Sequence, residues 1–452
     1  MMRMGSTMIV AVSGLAGALM ADDLLVVHEW GTFTSLQDET GRALGGLNAD
    51  DEPLPPFVHS VESVLMRHPP GAPLRTPPGG STSGERVAPG VPLAAARFGK
   101  GLSFVAPWAT MRLETPVMYF YPPAGAKLPL RIDVKARFRN GWLTQFYPDA
   151  RVHGVRLAPG ETSAAVPAGT LEWRGLAVGG TESWPVTDSN VWLAPRGVAS
   201  ATVTAAQIDK PAQTDSEKYL FYRGIGRLNA PLTVRRDQDA LTIRPADDLE
   251  PVKGFPMGTL WLVEVREDQA LAFRELDGQA LSTSPRGMLT TAAAFAPSDF
   301  AAGNLRGLRE ALHNALVADG LFADEAYALL NTWDQSYFKT AGQRLFYLVP
   351  RAWTDYHLPL ELSVPAQVAR VMVARTELVT PGQRTLLEAV VAGRSAQEQR
   401  LQAAAAEAYR RLGRFRDALI ADHDQRSSSP GPATRQAAAG RPEPTRSGAY
   451  TP

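Results

Sequence analysis

Ten residues, PLRIDVKARF at positions 129–138, constrain the fold more than any other stretch of the chain. Leu130, Ile132, Val134, Ala136 and Phe138 alternate with Arg131, Asp133, Lys135 and Arg137. A period of two sends one set of side chains to a core and the other to water, the pattern of a half-buried β-strand. RNG follows, and Asn140-Gly141 favours the positive φ angles of a tight hairpin turn into WLTQFYP. MGTLWLVEVREDQALAFREL at 257–276 reads as a second hairpin, turning at REDQ, and APLTVRRDQDALTIRP at 230–245 as a third. Short strands with turns between them predict an antiparallel β-sandwich-like body.

The period changes near residue 298. Leu305, Leu308, Leu312 and Leu316 recur at helical spacing, and Gly320 can end that helix. Ala326, Leu329, Leu330, Trp333 and Tyr337 mark one face of a second helix. An αα-hairpin is therefore inserted at 298–340, before strands return in QRLFYLVPR and VARVMVARTELVT at 341–380. Thr380-Pro381 starts a C-terminal helical segment, 381–425. Its seam, Leu401, Ala405, Ala408, Leu412, Phe415 and Leu419, suits packing on the body, with dimerisation through this helix as the alternative. The expected class is α+β, mainly β, with a β-rich domain at 22–297.

The ends carry different signals. Residues 1–21 have Arg3, an apolar stretch too short to span a bilayer, and small residues at Ala16, Ala18 and Ala21. They read as a signal peptide, so the chain is expected to be exported, periplasmic or extracellular. Nothing later is long and apolar enough for a transmembrane segment. There is no cysteine, so disulfides, thiolate ligands and Cys nucleophiles are excluded and core burial must hold the fold. Lys plus Arg equals Asp plus Glu at 46 each, which argues against a general nucleic-acid binder. Pro, Gly and Ser dominate 69–92, expected to be a flexible loop, and residues 426–452 have the composition of a disordered tail.

Most motifs of known chemistry fail. HEWGT at 28–32 has Thr32 where a zinc protease needs a second histidine, and there is no Gly-x-Ser-x-Gly elbow or phosphate loop. RGIGRLN at 223–229 is followed by hairpin-like sequence instead of a helix. What remains is charge inside apolar strands. Glu29 lies in VVHEWGTF, Glu114 in MRLETPVMYFYP, Arg223 in EKYLFYRG, Arg351 at the end of RLFYLVPR and Arg375 in VMVARTEL. Such charges are costly to bury unless paired, so Glu29 or Glu114 is expected to pair with Arg223 or Arg351.

Along a regular strand His28, Trp30, Thr32 and Thr34 share one face, and Glu29, Gly31, Phe33 and Ser35 the other. His28 and Glu29 then serve different sites, and Trp30 is expected to be buried. No cofactor is the first expectation. A transition metal such as zinc, bound by His28 and His59, is the alternative.

VHEWGTFTSL, ETPVMYFYP, EKYLFYRG, LNTWDQSYF and RLFYLVPR together resemble a family of exported bacterial proteins with a HEWGTFT-type motif near the N-terminus. The resemblance spans about residues 24 to 380. It implies secretion and a shared fold and carries no activity with it. WPVTDSNVWLAPRG at 184–197 departs from the family pattern. Two functions fit: a binding or structural protein of the cell envelope, or a secreted hydrolase with or without metal assistance. The hydrolase would use Glu29 or Glu114 as general base and Arg223 or Arg351 to hold an anionic group, with Trp30 as a further candidate binding residue.

Overall fold

In a computed structural model the described residues are 23–47, 54–61, 106–155, 168–181, 183–247, 256–282, 287–394 and 397–428. The expected signal peptide, the loop at 69–92 and most of the expected tail lie outside them. The strands are β1 (Leu25–Gln37), β2 (His59–Ser60), β3 (Met111–Tyr121), β4 (Leu130–Phe138), β5 (Gly141–Tyr147), β6 (Arg151–His153), β7 (Gly169–Val178), β8 (Val203–Ala206) and β9 (Thr214–Glu217). They continue with β10 (Leu220–Gly226), β11 (Leu232–Asp237), β12 (Ala240–Pro245), β13 (Thr259–Val265), β14 (Leu271–Asp277), β15 (Leu289–Ala292), β16 (Gly342–Leu348), β17 (Leu360–Leu362) and β18 (Ala366–Leu378).

A nine-stranded sheet in the order β14-β13-β16-β18-β1-β3-β10-β5-β2 forms the centre. Its strands pair antiparallel except for β1 and β18, which run parallel. One face packs on a second sheet, β17-β4-β7-β8-β9, and on the small sheet β11-β12-β15. That interface is the sandwich core, built from Val27, Phe33 and Met118 on the large sheet and Val134, Leu171 and Trp173 opposite. The other face is covered by helices. The class is thus α+β with strand outweighing helix, as expected.

The alternation in β4 is realised: Ile132, Val134, Ala136 and Phe138 are buried, and Arg131, Asp133 and Arg137 are exposed. The turn after it differs from expectation. Asn140 has the positive φ, 56°, that the sequence favours. Yet β4 pairs with β7 and β17, whereas β5 pairs with β10 and β2. The turn carries the chain from one sheet of the sandwich to the other and closes no hairpin. The other two hairpins form, β11–β12 and β13–β14.

The helices are α1 (Asn190–Arg196), α2 (Gln279–Ser282), α3 (Asn304–Ala318), α4 (Ala323–Thr332), α5 (Arg351–His357), α6 (Pro381–Arg394), α7 (Gln399–Arg411) and α8 (Arg416–Ser428). The αα-hairpin is α3–α4. It ends in a π-helical turn, Gln335–Lys339, and covers the face of the large sheet that carries Trp30. Leu308, Leu312, Leu316, Ala326, Leu329, Leu330, Trp333 and Tyr337 are buried there, while Leu305 is exposed.

The C-terminal segment is three helices rather than one. Thr380 caps the first: its hydroxyl accepts from Gln383 N at 3.2 Å, and its amide donates to Gln383 Oε1 at 3.0 Å. The seam residues Ala408, Leu412, Phe415 and Leu419 pack on Leu36, Leu44 and Leu47 of the same chain. Arg384 grips Glu39 with two bonds of 2.6 and 2.8 Å, and Arg426 donates to Asp38 at 2.6 Å.

Candidate functional site

β1 lies between β18 and β3 and is buried on both faces. Its two faces are those expected from the alternation. His28, Trp30 and Thr32 meet the helical layer, while Glu29 and Phe33 meet the sandwich core.

The position of Glu114 depends on a β-bulge. Trp30 is opposite Val117, but Thr32 is opposite Glu114, so β3 carries one extra residue there. Thr115 and Pro116 form the bulge, and Thr115 takes φ 46°, a strained value for a β-branched residue. In unbroken register Glu114 would lie across from Phe33, on the same face as Glu29. The extra residue moves it to the helical face. Gly31, opposite the bulge, leaves the space: a Cβ there would lie 3.1 Å from both Pro116 Cα and Met372 Sδ.

Glu29 is fully buried and accepts hydrogen bonds from Tyr222 Oη and Arg370 Nε. Arg370 is its neighbour in parallel β18, and its Nη1 donates to Asp355 Oδ1 at 2.8 Å. Arg351 Nε donates to the other Asp355 oxygen at 2.7 Å. A polar chain thus runs from Tyr222 through Glu29, Arg370 and Asp355 to the half-exposed Arg351. Burial, and then the charge of Glu29, push the Tyr222 phenol well above its ordinary range, so it serves as a donor. The charge of Glu29 and the other partners outweigh the cost of burial at Arg370 and hold its guanidinium above the usual value.

Glu114 is 3.6 Å from Arg112 Nη1 and 3.7 Å from Arg375 Nη2. The expected partners were Arg223 and Arg351. The structure supplies Arg370 to Glu29, and Arg112 with Arg375 to Glu114. Arg351 reaches Glu29 only through Asp355 and Arg370, because it opens α5 instead of ending a strand. Arg223 is buried on β10 and donates to Gln145 Oε1. Trp30 is sealed against Tyr119, with ring centroids 6.3 Å apart, and has no exposed face to offer a ligand.

The two histidines are separate. His28 Nδ1 is 2.8 Å from Glu325 Oε2, and Glu325 also accepts from Tyr121 Oη at 2.7 Å and Phe322 N at 2.7 Å. This cluster fastens β1 to the first turn of α4. His59 Nε2 lies 2.7 Å from Asp215 Oδ2 and stacks on Phe146 and Tyr147. Burial raises the Asp215 carboxyl, but His59, Gln207 and the Asp149 amide outweigh it and hold it below the usual range. β1 and β2 are four strand positions apart, about 19 Å, so the pair cannot ligate one ion. Among the described residues no group of three His, Cys, Asp or Glu side chains could hold a metal.

One buried cluster of arginines is not visible as a unit in the sequence. Arg344 on β16, Arg375 on β18, Thr34 on β1 and Arg112 on β3 are each at most 1% exposed. Register places Arg344 beside Glu377, and Thr34 between Arg375 and Arg112. The π-helical turn roofs them. Arg344 donates to the carbonyls of Ser336, Tyr337 and Thr340 at 2.8, 2.9 and 2.7 Å. The hydroxyls of Tyr337 and Thr32 are 2.6 Å apart. Burial, and to a lesser degree neighbouring Arg375, push Arg344 down to about 10 despite Glu377. A π-helical turn often marks a functional position, since its extra residue disturbs the regular ladder. The signal available in the sequence was one arginine inside each of MRLETP, QRLFYL and VMVARTEL.

No family model and no curated protein matches the chain.

Proposed function

We propose that the chain is an exported binding or structural protein of the bacterial cell envelope, in which Glu29 and Glu114 serve the fold, and not a hydrolase. One observation carries this reading: the two carboxylates lie on opposite faces of one sheet, buried and held by arginines. A general base must come within hydrogen-bond reach of its substrate or of one water. Glu29 has neither solvent contact nor a path to Glu114, and it is the centre of a chain of hydrogen bonds that joins β1, β10, β18 and α5. Export rests on the N-terminal sequence, with its short apolar stretch and small residues before position 22. The test is a double-mutant cycle on Glu29 and Arg370 read by unfolding. Strong coupling between the two supports a structural role. A stable, additive pair of variants would return Glu29 to candidacy as a base.

A further inference from the structure

The Arg375 guanidinium is fully buried, and among the described residues none of its three nitrogens finds a hydrogen-bond partner. Glu377 Oε1 is 3.3 Å from Nε and Glu114 Oε1 is 3.7 Å from Nη2, so the charge has partners. Neither carboxylate has the geometry to take up an N–H of Arg375. Arg344 Nε, which lies 3.3 Å from the same Glu377 oxygen, and Thr34 Oγ1, on the neighbouring strand, are also without hydrogen bonds. Buried polar groups in native proteins are satisfied by protein, water or an ion, since an unmet donor pays its full desolvation cost. The kind of occupant follows from the imbalance. Arg375 brings five N–H donors, Arg344 Nε one and the Thr34 hydroxyl one, whereas the unmet acceptors among the described residues of the cluster are Glu377 Oε1 and that same hydroxyl. Water donates as often as it accepts and would leave donors over. An acceptor that donates nothing matches the excess.

We propose that the Arg375 guanidinium, with Arg344 Nε and the Thr34 hydroxyl, forms a binding site for a small monovalent anion of about the size of chloride. The residues around it are sealed from solvent, which disfavours a bulky oxyanion. The cost of desolvation grows with the square of the charge, and two carboxylates stand beside the site, so a dianion is disfavoured as well. The π-helical turn and the segment carrying Phe415, whose ring lies 5.2 Å from Arg112 Cζ, close over the cluster. An ion here would tie the helical layer and the C-terminal helices to the sheet. Its failure would leave the reading of Glu29 untouched, because Glu29 lies on the opposite face.

The experiment uses the full mature protein, freed of halide by dialysis into gluconate. Its thermal midpoint is followed as chloride replaces gluconate at constant ionic strength. Binding to the folded state alone raises the midpoint with the logarithm of chloride concentration once the site fills. Gluconate is the more strongly excluded ion, so non-specific effects would move the midpoint the other way. Bromide should act like chloride. Thr34→Val, which removes one donor and little volume, should shift the response to at least several-fold higher chloride. Arg375→Met should abolish the response. Crystals grown in bromide should show anomalous scattering beside Arg375, which covers the case of an Arg375 variant that does not fold. Equal midpoints in chloride and gluconate, or a Thr34→Val response identical to wild type with no bromide beside Arg375, would overturn the proposal.

Discussion

The Glu29–Arg370 pair allows a quantitative prediction. Both side chains are buried, and each is the other's main charged partner. Removing one partner of a buried pair costs about 3–5 kcal/mol, because the remaining charge stays in the core. Asp355 also touches Arg370, but its side chain is 45% exposed, so its field is screened and is worth no more than about 1 kcal/mol. Glu29→Gln should therefore cost about 3 kcal/mol, the low end of the range. Arg370→Met should cost a similar amount or more, since Glu29 then keeps only Tyr222.

The double variant removes both charges, and Gln can still accept from the Tyr222 hydroxyl. It should cost about 1–2 kcal/mol, because replacing a whole buried pair by neutral groups is often close to neutral. The single losses together exceed the double loss by at least about 4 kcal/mol, a coupling far beyond what independent sites show. Urea unfolding followed by the fluorescence of the nine tryptophans measures all four corners of the cycle. Losses that add to within about 0.5 kcal/mol would refute the claim that these side chains act as one buried unit.

Asp38 and Glu39 are raised by burial, but their bonds to Thr40, Arg42 and Arg384 outweigh it and hold both carboxyls below the usual range. Their folded pKa values lie below the unfolded ones, so the stability they contribute is present above about pH 4 and is lost as pH falls through the folded values. Hydrogen exchange of α6–α8 should accelerate below about pH 4 before that of β1, and equal acceleration would contradict it. At Gly224 an added Cβ would sit 2.1 Å from Trp142 O, a backbone atom that cannot swing away. Gly224→Ala should lower the unfolding midpoint more than Gly31→Ala, whose nearest neighbours include the flexible Met372; the reverse order would show the β5–β10 contact to be looser than described.

Features set by neighbours in sequence were legible. The alternation of β4, the split of β1 into a His28 face and a Glu29 face, the burial of Trp30 and the helical hairpin all follow from local periodicity. Features set by distant neighbours were not. Arg370 meets Glu29 because β18 runs parallel to β1 in one particular register, and nothing in either segment specifies that pairing. The bulge at Thr115 moves Glu114 to the other face by a single residue, a displacement invisible to a period-two reading. Asn140 did announce a turn, but a turn that stays in one sheet and a turn that crosses between sheets use the same residue chemistry. The arginine cluster gathers its charges from three strands, each an isolated charge in its own segment.

If Glu29 and Glu114 are sealed structural groups, their carboxylates are out of reach of a reagent in water. The folded protein would be treated with a water-soluble carbodiimide and an amine, and modification at each acid quantified by mass spectrometry. Glu361, 65% exposed, and Asp355 serve as internal standards. Glu29 and Glu114 should stay unmodified while those two react, and should react only after unfolding. Modification of Glu29 or Glu114 in the folded protein at the rate of Glu361 would contradict it and reinstate an accessible carboxylate site.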